Sequence, residues 1–369
     1  MIRVALMLPK LGRYGGAEQF GYRLAAHLAS HPSQDFQVSF ICAKQDGPAP
    51  DKVRVIRVGR PVPGKLGKTL WFALAAEYVR RKEKFDVSLG LGNTIWQDML
   101  RLSGGPTGLF WAYSLNAYEP GPERVTKALT RFFSPGKQLA RLIEYMQARH
   151  TPVLVANSHF VRDITVQAFS WLDPARIRVI YNQPDLTRFV PATGDGKAAC
   201  RAMFALPEKA RLILTAGTNF RLKGIPVLIH ALSMLPESFH LAVAGGRGSS
   251  QITQLARSLG LDTRVHFLGR VDDMPGLYQA ADMFVLNSFY DACANAVLEA
   301  LACGLPTLST TCNGSSVFLR PEAVLDDPAN ALELARRIEA LYGCGPTSRP
   351  DFNPEQGLEP YVECIRSLA

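Results

Sequence analysis

The sequence predicts an α/β protein made of two doubly wound, Rossmann-like domains. Short apolar runs alternate with segments of helical periodicity, which is the pattern of β-α-β units around a parallel sheet. The alternation runs through the first half of the chain and starts afresh after residue 185. The chain has 369 residues, enough for two domains that each have their own core.

The first half contains a series of apolar runs that we predict to be strands, at residues 2–8, 36–42, 53–58, 85–91, 153–156 and 177–180. Helical spacing predicts helices at residues 20–28, 70–81 and 160–168. Ser158 is placed to cap the last of these helices. The segment Tyr181-Asn182-Gln183-Pro184-Asp185 breaks the pattern. We therefore predict an N-terminal domain of residues 1–184.

The second half repeats the alternation, which predicts a C-terminal domain of residues 185–354. Its predicted strands lie at residues 212–216, 239–244, 265–268, 283–286 and 306–309, and its helices at residues 225–232, 252–259, 274–280 and 294–302. The last segment, 355–369, contains a predicted helix that we expect to cross back to the N-terminal domain. Ligands of such sheets bind at the carboxyl ends of the strands, which predicts a site in the cleft between the domains.

Composition limits the class of protein. The net charge of +9 and the pI of about 9.3 suggest an anionic partner. The seven cysteines are widely spaced without a C-x-x-C, which disfavours a disulfide framework or a zinc site and fits reduced thiols in the cytoplasm. The first apolar run ends at Pro9-Lys10, too short for a signal peptide. We expect a cytoplasmic protein.

Glycines follow the first predicted strand. In the segment from Leu11 to Glu18, Gly15 and Gly16 precede a helix, so a phosphate could approach the backbone at the helix N-terminus. The alternative is a plain tight turn. A second glycine segment, Gly67-Lys68-Thr69, resembles the end of a P-loop, but Val62 stands where that motif needs glycine. We interpret this segment as a surface loop.

Two cations follow the first strand of the second half. Arg221 and Lys223 lie within the segment from Gly217 to Gly224, at the carboxyl end of a strand and before a helix. A cationic pair of this kind can neutralise a diphosphate as it leaves. The alternative is a solvated basic turn.

Two carboxylates occur in the segment from Asn287 to Pro306. Asp291 lies in the loop after a predicted strand, and Glu299 lies in the following helix. Carboxylates accept hydroxyl donors in a fixed geometry, so the loop residue can bind sugar hydroxyls and the helical one a ribose diol. Backbone N–H groups at Ala294 and Asn295 lie at the helix N-terminus, where they are available to phosphate. The alternative is a capping Asp and a surface Glu.

These segments together resemble the retaining glycosyltransferases of family 4, which have the GT-B fold of two Rossmann-like domains facing across a cleft. The carboxylate segment resembles their E-x7-E signature, with Asp291 in place of the first Glu. Further segments are similar to the family's motifs in the same order along most of the chain: residues 15–18 to G-G-x-E, residues 179–185 to V-I-x-N-G-V-D, residues 217–224 to the phosphate loop, and residues 265–286 to the run that ends at A-D-x-x-x-x-P-S.

A nearer group is suggested by residues 90–98 and 219–224. Both are similar to the lipopolysaccharide core glucosyltransferase I group, which uses UDP-glucose. In that group, an Asp that matches Asp98 lies in the acceptor half of the cleft. Many family members carry a His in this region, whereas this chain has no histidine between His31 and His150. The resemblance therefore assigns Asp98 the role of orienting or deprotonating the acceptor hydroxyl. The alternative for Asp98 is a helix cap.

The chain departs from the family at three places. Asp291 is one methylene shorter than Glu, and Ala292 and Ala294 replace glycines beside it. Thr218 replaces an Arg in the phosphate loop, a loss that Arg221 could compensate. These departures leave the identity of the donor open.

The resemblance implies retention at the anomeric carbon. A single carboxylate, Asp291, is well placed near the sugar, which argues against a double displacement by paired carboxylates. No D-x-D occurs in the chain, so we expect Lys223 and Arg221 to stabilise the diphosphate without a metal.

The acceptor half contains many basic residues interleaved with aromatic ones. The basic residues are Arg124, Lys127, Arg131, Lys137, Arg141 and Arg149, and the aromatic ones are Phe110, Trp111, Tyr113, Tyr118, Phe132 and Phe133. This mixture suits an anionic membrane surface or a phosphorylated lipid-linked acceptor. The alternative is a solvated helix face over core aromatics.

The sequence therefore predicts a glycosyltransferase that moves a hexose from a nucleoside diphosphate sugar, expected to be a UDP-sugar, to a lipopolysaccharide-core or other envelope glycan. We expect it to act without a cofactor, at the inner face of the cytoplasmic membrane. A nucleotide-sugar epimerase and a non-catalytic sugar-nucleotide binder remain alternatives. No recognised nucleic-acid-binding motif accompanies the charge.

Overall fold

The computed structural model describes residues 1–12, 15–246, 250–342, 350–352 and 357–369. The fold is α/β, and the chain divides into two compact units. The first comprises residues 1–111, 125–181 and 355–369, and the second comprises residues 112–124 and 182–354. The division thus lies between Tyr181 and Asn182, whereas we had placed the boundary after Pro184. The sequence also gave no sign that residues 112–124 group with the second unit.

The first unit contains a parallel sheet of seven strands in the order β5-β3-β1-β6-β7-β8-β9. Beside it, β2 and β4 form a separate parallel pair. The order reverses between β1 and β6, as in a doubly wound sheet. Residues 4–7 of β1 are completely buried, which explains the continuous apolar run. The strands are β1 (Ile2–Met7), β2 (Lys10–Leu11), β3 (Phe36–Cys42), β4 (Lys44–Gln45), β5 (Arg54–Arg57), β6 (Val87–Gly90), β7 (Met99–Leu102), β8 (Val153–Ala156) and β9 (Ile177–Val179).

The helices of the first half lie between these strands. Ser158 caps α6 as predicted, because its Oγ accepts a hydrogen bond from the N–H of Val161 at 3.1 Å. The interpretation of residues 67–69 as a surface loop is wrong, since they belong to α2. Gly64 precedes that helix with φ of 75°, a conformation that lets the helix begin here. The helices are α1 (Gly16–Ala29), α2 (Lys65–Glu83), α3 (Thr107–Leu115), α4 (Pro122–Phe132), α5 (Pro135–His150) and α6 (His159–Ala168).

The second unit contains a parallel sheet of six strands in the order β12-β11-β10-β13-β14-β15. This order reverses between β10 and β13. The strands are β10 (Arg211–Ala216), β11 (Phe239–Ala244), β12 (Val265–Gly269), β13 (Met283–Val285), β14 (Thr307–Thr310) and β15 (Val324–Leu325). The helices are α7 (Gly196–Met203), α8 (Ile225–Ser233), α9 (Ser250–Ser258), α10 (Met274–Ala280), α11 (Asn295–Ala302) and α12 (Ala331–Tyr342).

The last helix, α13 (Glu359–Leu368), belongs to the first unit. Its residues Tyr361, Val362 and Ile365 are buried in the same apolar cluster as β1 and α1. The hydroxyl of Tyr361 accepts a hydrogen bond from Nε of Arg101 in β7 at 3.1 Å. The end of the chain is thus part of the core of its N-terminal half.

Candidate functional site

Two of the predicted donor residues, Lys223 and Asp291, meet at the point where the strand order of the second sheet reverses. One loop follows β10, the other follows β13, and these two strands are neighbours in the sheet. The loops are joined by a backbone hydrogen bond from the N–H of Phe289 to the carbonyl of Leu222, at 2.9 Å. Ligands of doubly wound sheets bind at this switch point, outside the carboxyl ends of the strands.

Lys223 and Asp291 form an ion pair at this switch point. The Lys223 ammonium donates to Oδ2 of Asp291, and both side chains are largely buried. The Asp291 backbone is fixed by hydrogen bonds to Cys312 and Gly314 at 2.9 and 3.0 Å. An ammonium has three donors, so Lys223 can keep this carboxylate while it binds an anion. The structure therefore brings together two of the predicted site residues.

Two glycines allow the loops to approach closely. Gly224 has φ of 64°, and a Cβ there would lie 2.0 Å from the carbonyl oxygen of Asn287. A Cβ on Gly217 would lie 2.7 Å from Cγ of Lys223. Distances below 3 Å are clashes, so side chains at these positions would displace Lys223 or separate the two loops. The close approach of the two loops thus explains why glycine stands at both ends of the predicted phosphate loop.

Glu299 lies on α11, half-buried, and contacts Tyr278. The Tyr278 hydroxyl donates to Oε2 of Glu299 at 3.0 Å. Burial raises the pKa of the Glu299 carboxyl, while the Tyr278 hydrogen bond and the positive charge of Arg188 act in the opposite direction. The surface position that was the alternative for Glu299 is therefore wrong.

At the amino end of α11, a backbone N–H and a side chain already have hydrogen-bond partners within the protein. The N–H of Ala294 donates to Oδ1 of Asn313 at 3.3 Å, which corrects the prediction that this N–H is available to phosphate. The side-chain oxygen of Asn295 accepts a hydrogen bond from Asn182 at 2.8 Å. The buried Asn313 also accepts from the N–H of Ser315 at 3.0 Å. Asn313 was not among the predicted site residues, although an Asn before Gly-Ser-Ser is a recognisable capping residue.

Arg221 faces a different part of the second unit. Its guanidinium pairs with Glu123 at 2.8 Å and lies 4.6 Å from the ring centre of Tyr118. A cavity of about 500 Å³ adjoins these three residues and is also lined by Thr218, Asn219 and Gln251. The structure thus shows the Arg221 guanidinium in an ion pair, and its contact with a diphosphate stays a prediction. Its partner Glu123 lies in the segment 112–124, which groups with the second unit although the sequence placed it in the N-terminal domain.

Gly15 and Gly16 lie at the amino end of α1 in the first unit. Gly15 has φ of 101°, and a Cβ there would lie 2.4 Å from Oε2 of Glu18. A Cβ on Gly16 would meet nothing within 4 Å. The Glu18 carboxylate thus lies at the amino end of α1, where the helix dipole stabilises a negative charge. The phosphate role of the two glycines stays a prediction, and Arg13 and Tyr14 lie outside the described residues.

Asp98 directly precedes β7 and lies beside Ser88 of β6, which in turn pairs with Ala5 in the middle of β1. Its Oδ2 accepts hydrogen bonds from the N–H and the hydroxyl of Ser88 at 2.8 and 2.6 Å. The role of Asp98 in orienting or deprotonating the acceptor stays a prediction. The helix-cap alternative is wrong, because Asp98 joins β7 to β6.

The basic and aromatic residues of the first unit divide into buried and exposed groups. Arg131 is buried and donates to the carbonyl of Trp111 at 3.0 Å, so it is a structural residue. Leu129, Phe132 and Phe133 are 52%, 63% and 72% exposed near the carboxyl end of α4. Across the described residues, no helix combines the length and apolarity required to cross a membrane.

Two family models match the chain. Residues 14–188 match the model described as Glycosyltransferase Family 4, and residues 197–352 match the model described as Glycosyl transferases group 1. The two matches follow one another, the first over β3 to β9 and the second over β10 to β15.

Curated relatives match part of the chain. D-inositol 3-phosphate glycosyltransferase of Salinispora tropica is 33% identical over 189 residues, which cover 46% of this chain and 39% of that protein. The lipopolysaccharide core biosynthesis glycosyltransferase LpsE of Rhizobium meliloti is 30% identical over 195 residues, which cover 52% of this chain and 54% of that protein. Each match thus spans less than two thirds of the relative's own length.

Solved structures match almost the whole chain. WaaG, a glycosyltransferase involved in lipopolysaccharide biosynthesis, has a TM-score of 0.76 and 20% identity, with 99% of this chain and 94% of WaaG covered. Anabaena Alr3699/HepE in complex with UDP and glucose has a TM-score of 0.73 and 16% identity, with 100% of both chains covered. At these identities the likeness shows the fold. With both family models in sequence and this fold, the chain belongs to the GT-B glycosyltransferases, with a family 4 region followed by a group 1 region.

Proposed function

We propose that this protein transfers a hexose from a UDP-sugar to a lipopolysaccharide-core or other envelope glycan, with retention at the anomeric carbon. The observation that carries the proposal is the Lys223–Asp291 ion pair at the switch point of the second sheet. The similarity to WaaG and LpsE, both glycosyltransferases of lipopolysaccharide biosynthesis, supports the acceptor class, and the HepE complexes with UDP and with UDP-glucose support the donor class.

Each donor residue has a role that fits its contacts. The Lys223 ammonium binds the diphosphate and stabilises the charge that develops as it leaves. Asp291 accepts hydrogen bonds from sugar hydroxyls, and Glu299 accepts them from the ribose. The bond from the anomeric carbon to the phosphate oxygen breaks, and the bond to the acceptor oxygen forms on the same face. The acceptor proton passes to the departing phosphate, so the step needs no second carboxylate as a base, and the Lys223 ammonium supplies the positive charge that a metal would otherwise supply.

Thermal unfolding with UDP-, GDP- and ADP-sugars tests the donor part. A ligand that binds only the folded state raises the unfolding midpoint. We expect the UDP-sugars to raise it in the wild type and in Glu237→Ala, an exposed control. The shift should be lost in Glu299→Ala and partly kept in Glu299→Gln, which retains one acceptor oxygen. No shift with any nucleotide sugar would remove the proposal.

A transfer assay with the donor identified in this way separates enzyme from binder. NMR of the first-formed product should show the anomeric configuration of the donor. An inverted product would overturn the proposed same-face reaction. A midpoint shift without transfer to any envelope glycan, or with epimerised donor, would favour the alternatives of a non-catalytic binder or an epimerase.

We also propose that the protein binds the anionic inner face of the cytoplasmic membrane through the exposed end of α4. The support is the contiguous exposure of Phe132 and Phe133 with Lys127 and Lys137 nearby in sequence. Co-sedimentation with phosphatidylglycerol vesicles should exceed that with phosphatidylcholine vesicles. It should fall in the double variant Phe132→Ser/Phe133→Ser but not in Tyr78→Ser, which removes another exposed aromatic ring. An equal loss of vesicle binding in Tyr78→Ser and in the double variant would contradict the proposal that the end of α4 is the membrane-binding face.

A further inference from the structure

Two histidines and a glutamate from the two ends of the chain meet in the first unit. His27 lies in the last turn of α1, His31 follows the end of that helix, and Glu359 begins α13. Nε2 of His27 lies 2.9 Å from Oε1 of Glu359, and Nε2 of His31 lies 3.4 Å from the same atom. One atom from each of the three side chains lies within 4.8 Å of the others.

This arrangement has the chemistry and the spacing of a transition-metal site. Imidazole nitrogen and carboxylate oxygen are ligands that Zn²⁺ prefers, at about 2.0–2.2 Å. Two ligand atoms of a tetrahedral site at that bond length lie about 3.3 Å apart. The two nitrogen–oxygen distances of 2.9 and 3.4 Å lie on either side of this value. A cation could therefore enter between the three side chains after small rotations.

Surrounding groups hold His31 in this orientation. Its Nδ1 lies 2.6 Å from the hydroxyl of Ser33, and its Nε2 lies on the side of Glu359. Its ring packs edge-on against Phe36, with 5.7 Å between ring centres. Arg366 of α13 donates to the same Ser33 hydroxyl at 2.8 Å. The backbone N–H of Ser33 also lies 3.3 Å from Nδ1 of His31. A metal on Nε2 therefore requires the tautomer with the proton on Nδ1, for which the Ser33 hydroxyl is the available acceptor.

We propose that His27, His31 and Glu359 bind a divalent transition metal of the Zn²⁺ class. The metal joins the end of α1 to the start of α13 and so stabilises the packing of the last helix on the first unit. The proposal is independent of the proposed function, because all three residues belong to the first unit, whereas Lys223, Asp291 and Glu299 belong to the second.

Calorimetric titration of the full chain with Zn²⁺, after treatment with a chelator, tests the proposal. The wild type should bind one equivalent, and Zn²⁺ should raise its unfolding midpoint. His27→Ala, His31→Ala and Glu359→Gln should each weaken binding at least about tenfold, since loss of supporting groups alone costs that much. His230→Ala is the matched control, because His230 is exposed on α8 of the second unit. It should bind Zn²⁺ as the wild type does.

Absorption spectra with Co²⁺ in place of Zn²⁺ distinguish this site from binding by cysteine. Nitrogen and oxygen ligands give visible ligand-field bands without the near-ultraviolet charge-transfer band of a thiolate. Binding that survives in the double variant His27→Ala/His31→Ala, or a thiolate band in the wild type, would overturn the assignment. So would the absence of Zn²⁺ binding, which would leave these contacts as imidazole–carboxylate hydrogen bonds.

Discussion

The hydroxyl of Tyr278 and the carboxylate of Glu299 are 3.0 Å apart in the second unit, although the two residues lie on different helices. Tyr278 is completely buried in α10, and its hydroxyl also lies 3.2 Å from the carbonyl of Ala296. Its own pKa is raised well above the usual value, first by burial and then by the negative charge of Glu299. The tyrosine therefore remains a hydrogen-bond donor that fixes the direction of the carboxylate.

The raised pKa of Glu299 predicts a pH-dependent cost of folding. Burial disfavours the charged carboxylate, so the folded state holds this proton to a higher pH than the unfolded chain does. The stabilising contribution of the protonated Glu299 carboxyl is complete below the pKa of this group in the unfolded chain, near 4.3. It is lost as the pH rises through the higher pKa that the group has in the folded state. Glu299→Gln cannot ionise and keeps an oxygen for Tyr278. We expect it to be more stable than the wild type at pH 8, with a difference that vanishes below about pH 4.

Urea unfolding between pH 4 and pH 8 measures this difference. The exposed Glu237→Gln serves as the control for loss of one negative charge. A difference for Glu299→Gln that does not change with pH would mean that the environment of Glu299 does not penalise its charge.

We expect a methyl group added at Gly224 to cost more stability than a methyl group added at Gly260. Gly224 and Gly260 have nearly the same φ, 64° and 69°, but a Cβ on Gly260 would meet nothing within 4 Å. Gly260→Ala should therefore show only the strain of the left-handed backbone, about 1–2 kcal/mol. Gly224→Ala adds a clash with the Asn287 carbonyl and should cost about 3 kcal/mol or more.

Denaturant titrations of the two variants measure both losses of unfolding free energy under the same conditions. Equal losses would show that the loops after β10 and β13 can separate without cost. The close approach of Lys223 to Asp291 would then need another explanation.

The Lys223–Asp291 pair predicts non-additive effects on stability. Both side chains are largely buried, so removal of one partner leaves the other charge without compensation. Lys223→Met and Asp291→Asn should each destabilise by roughly 1–3 kcal/mol, and the double variant by less than their sum. Additive losses would show that the two charges do not interact in solution.

The same variants separate structure from chemistry. Each should abolish transfer, and the double variant should remain inactive although part of the stability returns. Recovered transfer in the double variant would mean that neither side chain takes part in the reaction.

Sequence patterns predicted the two sheets because buried parallel strands are continuous apolar runs. Residues 4–7 of β1 and residues 212–214 of β10 are almost completely buried, and both strands were predicted. Strand β7 was missed because Arg101 interrupts it. That arginine is buried and bonded to Tyr361, a partner 260 positions away that no local pattern reveals.

The donor site was predictable where glycines and charges follow strands, and not where its contacts are distant in sequence. Lys223 and Asp291 follow neighbouring strands, so the topology alone brings them together. The pair formed by Arg221 and Glu123 depends on a segment that belongs to the other half of the sequence. The bond from Ala294 to Asn313 likewise joins two loops whose proximity only the fold determines.

Asp98 gives a prediction that separates stability from acceptor binding. In Asp98→Ala the N–H and the hydroxyl of Ser88 lose their acceptor beside a buried strand, which should cost about 1–3 kcal/mol. Asp98→Asn keeps an oxygen at this position and should lose less. Because both hydrogen bonds to Oδ2 come from Ser88, a purely structural role of the carboxylate predicts an unchanged KM for the acceptor in the folded fraction of both variants. Urea unfolding and acceptor titration of the same preparations measure the two effects. A raised acceptor KM or a lost kcat with wild-type stability would show instead that Asp98 takes part in acceptor binding or in the reaction.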